Sequence, residues 1–370
     1  MDIFGQIIDC VMTGFTFLWC ALTTPQKNQD LLGGARCLQQ IITKDGYACE
    51  THSTLTADGY YLTLFRVGQG QGQMQGQGQP ILLQCGLLDS PFAFVSNGPE
   101  QSLAYYLVKA GFDVWLGTNR GTRYAREHCY LLPEDEQYWD FSYQEMGIYD
   151  MPALMKYIQT ETKKEVDVCG HSQGTTQTMI ALTKGLIKPR RFVALAPVAS
   201  FLGLPNTVLK WVVWAKTDAC LFWFGYRGAF LLPSSRQGRW FGLAGSVFSR
   251  LVGVVVRLIA GPGLTDISQR NMNDMASVEL GGTSIRNMLQ WAEAIRSKRA
   301  FDPSPFACIP TLCIRGTNDA LVGPDDFAYV CEMLQTKTTM EIPKMNHLDL
   351  VWNSGSSITI FPHMVKFLQQ

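Results

Sequence analysis

The chain has little charge and no excess of either sign. Charged side chains make up 17% of the 370 residues, and 31 basic groups face 31 acidic ones. A neutral protein has no global field with which to attract nucleic acid or a strongly acidic partner. Zinc-site and redox-motif spacings are missing from the 11 cysteines, which scatter from Cys10 to Cys331. A chain this long does not need a disulfide framework, so buried reduced thiols are expected. No Asn-x-Ser/Thr acceptor occurs, which favours an intracellular protein over an exported one. Long apolar runs are scarce too. Ile3 to Leu22 is apolar but broken by Gln6 and Asp9, and the stretch from Cys10 to Leu22 is too short for a comfortable membrane span. What the chain does have is 46% hydrophobic residues, enough for a sizeable core, which excludes disorder.

Residues 1–26 form the first expected unit, an apolar segment that associates with a membrane. Phe4, Phe15, Phe17 and Trp19 suit an interfacial position, and Asp2 stands where a secretory signal carries basic residues. Three readings stay open for this segment: a monotopic anchor, an atypical signal peptide over residues 1–22, and a helix packed on the domain. The anchor implies membrane-associated intracellular residence, at endoplasmic reticulum or lipid droplet. The signal peptide implies a lysosomal or secreted protein.

Residues 47–67 alternate apolar and polar on both sides of Asp58-Gly59, a type I′ hairpin signal. The Gly/Gln tract 68–79 cannot pack a core and reads as a flexible loop. Short apolar runs follow: Ile81–Leu83, Phe112–Leu116, Val166–Cys169, Phe192–Leu195, Thr311–Ile314 and Met340–Ile342. Helical stretches separate them, which argues an α/β fold with a mainly parallel, twisted sheet covered by helices. Such sheets bind ligands at the carboxyl ends of their strands. Residues 200–300 break the alternation with long helical stretches such as Leu243–Ala260, and read as a helical cap. The cap splits the core into residues 33–199 and 301–370.

Just after the Val166–Cys169 run stands Gly170-His171-Ser172-Gln173-Gly174, opening a helical stretch. With 34 glycines in the chain the bare pattern arises easily by chance, so the flanking strand and helix carry the argument. A nucleophilic serine must sit on a sharp turn, with glycines two residues either side to let backbone approach closely. A serine hydroxyl needs a base, and the base needs an orienting acid. Of the five histidines, His52 and His128 precede the serine, His171 points away from the turn, and His363 lies in a terminal helical stretch. His347, in the loop after the last strand run, is the expected base. Asp319, after the Thr311–Ile314 run, is the expected acid; Asp325 and Asp326 fit a helix start better, and Asp349 is only two residues from His347. The oxyanion donors should be the backbone N–H of Gln173 and that of Leu87, behind Gly86.

These strings resemble the acid lipase family of α/β-hydrolases, which includes gastric lipase, lysosomal acid lipase and fungal steryl ester hydrolases. The resemblance runs through Asp58-Gly59-Tyr60, Cys85 to Leu88, Asp113 to Gly117, Asn119-Arg120-Gly121, Gly170 to Thr176, Ala194 to Val198, Gly282-Thr283-Ser284 and Asn346 to Asp349. It implies hydrolysis of neutral lipid esters, acylglycerol or steryl ester, through an acyl-enzyme. Ser172, Asp319 and His347 would form the triad and Leu87 and Gln173 the oxyanion site, with no metal or organic cofactor. The chain departs from the family at Cys85, where His is usual, at Ser277 to Gly281, and in the short Arg299–Pro310 segment. Cys220 has no second cap cysteine to pair with.

Residues 199–262 hold seven basic side chains, one acid, and four of the nine tryptophans. Tryptophan with Lys/Arg on an apolar background suits a lipid headgroup boundary. With the substrate class that the resemblance implies, the expected partner is neutral lipid at a membrane or droplet surface, and not nucleic acid. Two rivals stay open: an acyltransferase using the same triad, and a weakly catalytic lipid-binding homologue.

Overall fold

The computed structural model describes residues 31–70, 78–214, 229–230, 258–263, 281–301 and 308–370. The apolar segment 1–26, the centre of the Gly/Gln tract, Cys220 and most of the basic cap residues lie outside them.

Every apolar run expected to be a strand is one. Ala48–Leu55 (β1) and Tyr60–Gly68 (β2) pair antiparallel, then follow Pro80–Gln84 (β3), Asp113–Gly117 (β4), the short Glu127–His128 (β5), Asp167–His171 (β6) and Phe192–Leu195 (β7). Ala229–Phe230 (β8) pairs with Thr283–Ser284 (β9), and Thr311–Gly316 (β10) and Thr338–Ile342 (β11) complete the set. The main sheet runs β1-β2-β4-β3-β6-β7-β10-β11, with β5 on β2. It is parallel from β4 to β11. Strands β3, β4, β6, β7 and β10 are buried at every residue, which is why they appear in the sequence as continuous apolar runs rather than alternating ones. The larger helices are Leu31–Lys44 (α1), Leu103–Lys109 (α2), Met151–Thr162 (α3), Gln173–Thr183 (α4), Thr207–Trp214 (α5), Ile285–Ser297 (α6), Pro324–Met333 (α7) and Phe361–Leu368 (α8). α1 was not legible: Gly33-Gly34 weakens the local helical preference, and only tertiary burial of Leu38 and Ile42, one turn apart, reveals its inner face.

Two local expectations need correction. The hairpin does not close with a type I′ turn. Thr56 and Tyr60 bracket a three-residue loop, with Thr56 N–H donating to Tyr60 O at 2.8 Å and Gly59 N–H to Thr56 O at 3.1 Å. Only Gly59 in that loop has positive φ, at 99°. The Thr56 hydroxyl accepts the Tyr60 N–H at 2.8 Å, so a side chain takes the place of a ladder carbonyl and adds a residue to the loop. The Gly/Gln tract, for its part, is not free to its end. Gln79 O accepts the Asp113 N–H at 3.0 Å and its side chain donates to Glu165 O at 2.6 Å, so the last residue of the tract is held in place just before β3 begins.

The hairpin is fastened to the sheet by a buried cation. Arg120, after β4, is 1% exposed and pairs with Asp58 at 2.5 Å and with Asp150, just before α3, at 2.5 Å. One guanidinium faces two carboxylates, which leaves one negative charge in excess, and burial pushes the Asp150 carboxyl up to about 6. That value lies above the roughly 3.9 of an unfolded aspartate. The stabilisation from this group is therefore full below the unfolded value and is lost as pH rises through about 6. Relative to Asp150→Asn, the unfolding free energy of the native protein should fall by up to about 3 kcal/mol between roughly pH 4 and pH 7. Urea titrations of both proteins across that range measure it, and a difference independent of pH would refute the assignment.

Candidate active site

The carboxyl ends of β3, β4, β6, β10 and β11 deliver Gly86, Asn119, Ser172, Asp319 and His347 to one rim of the sheet. Ser172 is held at φ 52°, ψ −120°, a conformation that side-chain-bearing residues avoid, between the end of β6 and the start of α4. Its N–H donates to Leu195 O at 3.0 Å, so neighbouring strand β7 fixes the turn. The flanking glycines earn their place sterically. A Cβ on Gly174 would overlap the carbonyl of Gln84, and one on Gly170 would lie 2.8 Å from Gly174 C and Thr175 N. The first turn of α4 can therefore press against the ends of β3 and β6 only with glycine at both positions.

His347 Nε2 lies 2.8 Å from Ser172 Oγ, and His347 Nδ1 lies 2.9 Å from Asp319 Oδ2. The other carboxylate oxygen of Asp319 accepts the N–H groups of Leu321 at 2.8 Å and Val322 at 2.9 Å. Two backbone donors thus hold the carboxylate in one orientation, leaving Oδ2 for the imidazole. With Nδ1–H donating to that carboxylate, Nε2 is left as the acceptor for the serine hydroxyl. Both Asp319 and His347 are buried. Ser172 is half-buried.

The rival acids and bases are accounted for elsewhere. Asp326 accepts from Ser200 Oγ at 2.9 Å and Leu202 N–H at 2.6 Å, and Asp349 accepts the Asn346 N–H at 2.9 Å, so each shapes a loop. His171 packs beside His347 with its Nε2 3.0 Å from the His347 carbonyl oxygen, which braces the loop that carries His347. His52 sits between Trp115 and Tyr157, His128 caps the β1–β2 loop, and His363 is exposed on α8.

Where the oxyanion donors are expected, the loop after β3 passes directly over the serine: a Cβ on Gly86 would stand 3.1 Å from Ser172 Cβ. Leu87 follows in that loop, and Gln173 is the first residue of α4. Cys85, where the resembling family carries His, is fully buried, and Asn119 Nδ2 donates to its sulfur at 3.7 Å and to Gly86 O at 3.2 Å. Asn119 Oδ1 in turn accepts from Gln84 at 2.7 Å and Gln177 at 2.9 Å. This buried amide cluster supports the loop without an imidazole. Sequence reasoning missed it; the only signal was two amides, Gln84 and Asn119, at the ends of apolar strand runs and a third, Gln177, within α4. Among the described residues no cluster of three or more His, Cys, Asp or Glu could hold a metal ion, and no helix is long and apolar enough to cross a membrane.

Comparison with known proteins identifies the family. The family model for the alpha/beta hydrolase fold matches residues 79–354, and that for the partial alpha/beta-hydrolase lipase region matches residues 38–98. The chain is 30% identical to the gastric triacylglycerol lipase of Bos taurus over 97% of its own length and 96% of that protein's. The chain belongs to the acid lipase family of α/β-hydrolases. Other relatives place this acid lipase family member in the same company. It is 31% identical to the human gastric triacylglycerol lipase, covering 90% of this chain and 91% of that one. It is 30% identical to the lysosomal acid lipase/cholesteryl ester hydrolase of Macaca fascicularis, covering 90% of each. Among solved structures, the carboxylesterase CesB of Bacillus subtilis superposes with a TM-score of 0.52 at 13% identity, covering 92% of this chain and 99% of that one, a likeness of fold. Like its relatives, this acid lipase family member is an ester hydrolase.

Proposed function

We propose that the protein hydrolyses esters of neutral lipids, acylglycerol or steryl ester, by a serine acyl-enzyme route. The observation that carries the reading is the unbroken chain Asp319–His347–Ser172, with contacts of 2.9 and 2.8 Å. His347 Nε2 takes the hydroxyl proton as Ser172 Oγ attacks the ester carbonyl carbon. Asp319 holds the imidazole in the required tautomer and balances the imidazolium. The N–H groups of Leu87 and Gln173 receive the negative charge on the carbonyl oxygen. His347 returns the proton to the leaving alcohol, and then activates a water that releases the fatty acid and restores the serine.

The substrate class rests on the relatives' names, which include triacylglycerol and cholesteryl ester, and on the surface around α5. Val208, Trp211 and Trp214 along that helix are half or more exposed, as are Leu202 and Leu258 beside it. Exposed apolar and aromatic side chains on one helix of an esterase suit contact with a lipid–water boundary. We take residues 200–300 as the cap that carries this surface, flanked by core segments 33–199 and 301–370. The gastric and lysosomal names of the relatives favour export, with residues 1–22 as signal, over the endoplasmic reticulum or lipid droplet.

A fluorophosphonate probe tests the reading. It should modify the purified protein at one site, which peptide mapping should locate at Ser172, and labelling should abolish release of fatty acid from emulsified triacylglycerol or cholesteryl ester. Full ester turnover after stoichiometric labelling elsewhere would overturn it.

A further inference from the structure

The Gly282-Thr283-Ser284 string has so far no task, and the contacts around it give it one. Ser284 caps α6: its hydroxyl accepts the Asn287 N–H at 2.9 Å and also bonds Phe141 O. Thr283 Oγ1 accepts from Asn287 Nδ2 at 3.0 Å, and Asn287 Oδ1 accepts the Tyr143 N–H at 2.8 Å. The string thus fixes both the start of α6 and the rotamer of Asn287. One turn further along the same face lies Trp291, packed on Tyr143 and Phe201. Asn287 Nδ2 and Trp291 Nε1 converge on a single atom, Gln173 Oε1, at 2.9 and 2.7 Å. The Gln173 amide nitrogen reaches Met146 Sδ at 3.5 Å.

Gln173, Asn287 and Trp291 are all buried. An indole N–H can only donate, so Gln173 must present its oxygen to α6, with both lone pairs occupied. A buried carboxamide costs free energy unless it is satisfied, and a filler of the same size needs no such provision. Three side chains from two separate segments supply partners here to the residue that follows the nucleophile. Its own N–H, at the first position of α4, has no acceptor within the helix and is free for a developing oxyanion. An oxyanion donor is effective only when held roughly 2.7–3.1 Å from the position the oxyanion will occupy.

We propose that Asn287 and Trp291 are positioning residues for the oxyanion site: through the Gln173 carboxamide they set where the Gln173 N–H points, and so make turnover depend on the docking of α6, the helix that follows the inserted segment. This rests on the serine acyl-enzyme reading above and adds a specificity element to it. A donor pair aligned for oxygen discriminates strongly against a larger, weaker acceptor such as sulfur, and a loosened pair discriminates less.

The test compares a short-chain ester with its thiono analogue (C=O against C=S at the reacting carbon), using the full chain, Trp291→Phe, Gln173→Met and the double variant. Trp291→Phe removes one N–H and keeps most of the ring. The expected result is a loss of about tenfold in kcat for the oxo ester with KM within about twofold. The ratio of oxo to thiono turnover should fall several-fold with it. Gln173→Met should lose at least as much. The double variant should be no worse than Gln173→Met alone, because Trp291 acts through that side chain. Equal losses on both esters, an unchanged kcat in folded Trp291→Phe, or losses that multiply in the double variant would overturn the proposal. If Trp291→Phe does not fold, Gln173→Met decides alone, and an unchanged ratio there is fatal. Wild-type protein that labels at Ser172 while the variants keep the wild-type ratio refutes the positioning role only; wild-type protein that fails to label refutes the acyl-enzyme reading itself.

Discussion

Ser172→Ala is expected to lower ester turnover by about five to six orders of magnitude while leaving the melting temperature within about 2 °C of wild type. The two halves of that expectation have separate causes. Turnover collapses because, among the described residues, Ser172 Oγ at 2.8 Å is the one hydroxyl hydrogen-bonded to His347 Nε2. Stability is nearly untouched because the hydroxyl's hydrogen bond is to a half-open site, and because alanine meets the same backbone cost at φ 52° that serine already meets. His347 keeps its bond to Asp319, so the base is not left adrift. His347→Ala should cost nearly as much in turnover, and combining the two substitutions should add little, since nucleophile and base act as one unit. Fatty acid release from an emulsion, with calorimetry on the same preparations, measures both halves. Turnover within tenfold of wild type in folded Ser172→Ala protein would remove Ser172 from the mechanism. A melting point lowered by ten degrees would show instead that the elbow serine is structural.

The site was legible where chemistry and local pattern coincide. A serine between glycines at a strand end, a histidine after the last apolar run and an aspartate after the run before it can each be found in one dimension, because strand ends are visible as the ends of buried runs and the order of the three groups follows from the topology. The parallel strands β3, β4, β6, β7 and β10 were visible for the same reason: burial on both faces leaves no polar residue to interrupt most of each run. What stayed hidden depends on contacts between distant segments. The Asn287 and Trp291 donors lie 114 and 118 residues from Gln173, and nothing local to α6 distinguishes them from ordinary inward-facing residues. The β1–β2 turn was misread because Asp58-Gly59 satisfies the two-residue rule locally, while the Thr56 hydroxyl and the distant Arg120 select a wider loop. Arg120 itself read as part of a family string and gave no hint of burial, since arginine is among the residues least often enclosed.

Arg120→Met carries the largest expected loss of stability, about 3–5 kcal/mol, or on the order of 10 °C in melting temperature. Arg120 bonds Asp150 Oδ1 through Nε at 2.8 Å and Nη2 at 2.5 Å, and bonds Asp58 through Nη1 at 2.5 Å and Nη2 at 2.9 Å, while its guanidinium lies 4.1 Å from the centre of the Tyr60 ring. Methionine fills much of the volume, so the loss comes from electrostatics: two carboxylates, one of them fully enclosed, are left facing each other without a cation. Arg120→Lys should recover only part of the loss, because one ammonium cannot present the two-sided fork that grips both carboxylates at once. Removing the stranded charges should recover most of it, and Arg120→Met combined with Asp150→Leu and Asp58→Asn is the variant that separates a charge effect from a packing effect. Turnover should fall alongside stability in Arg120→Met. The adjacent Asn119 donates to Gly86 O at 3.2 Å, and a displaced position 120 loosens the loop that lies over Ser172. Urea unfolding of the four proteins reads the free energies, and ester turnover at a temperature where all remain folded reads the second effect. An Arg120→Met protein within 1 kcal/mol of wild type would mean that the enclosed carboxylate finds its own compensation, by holding a proton at neutral pH, and the acid-side stability of Asp150 would then have to be explained without the guanidinium.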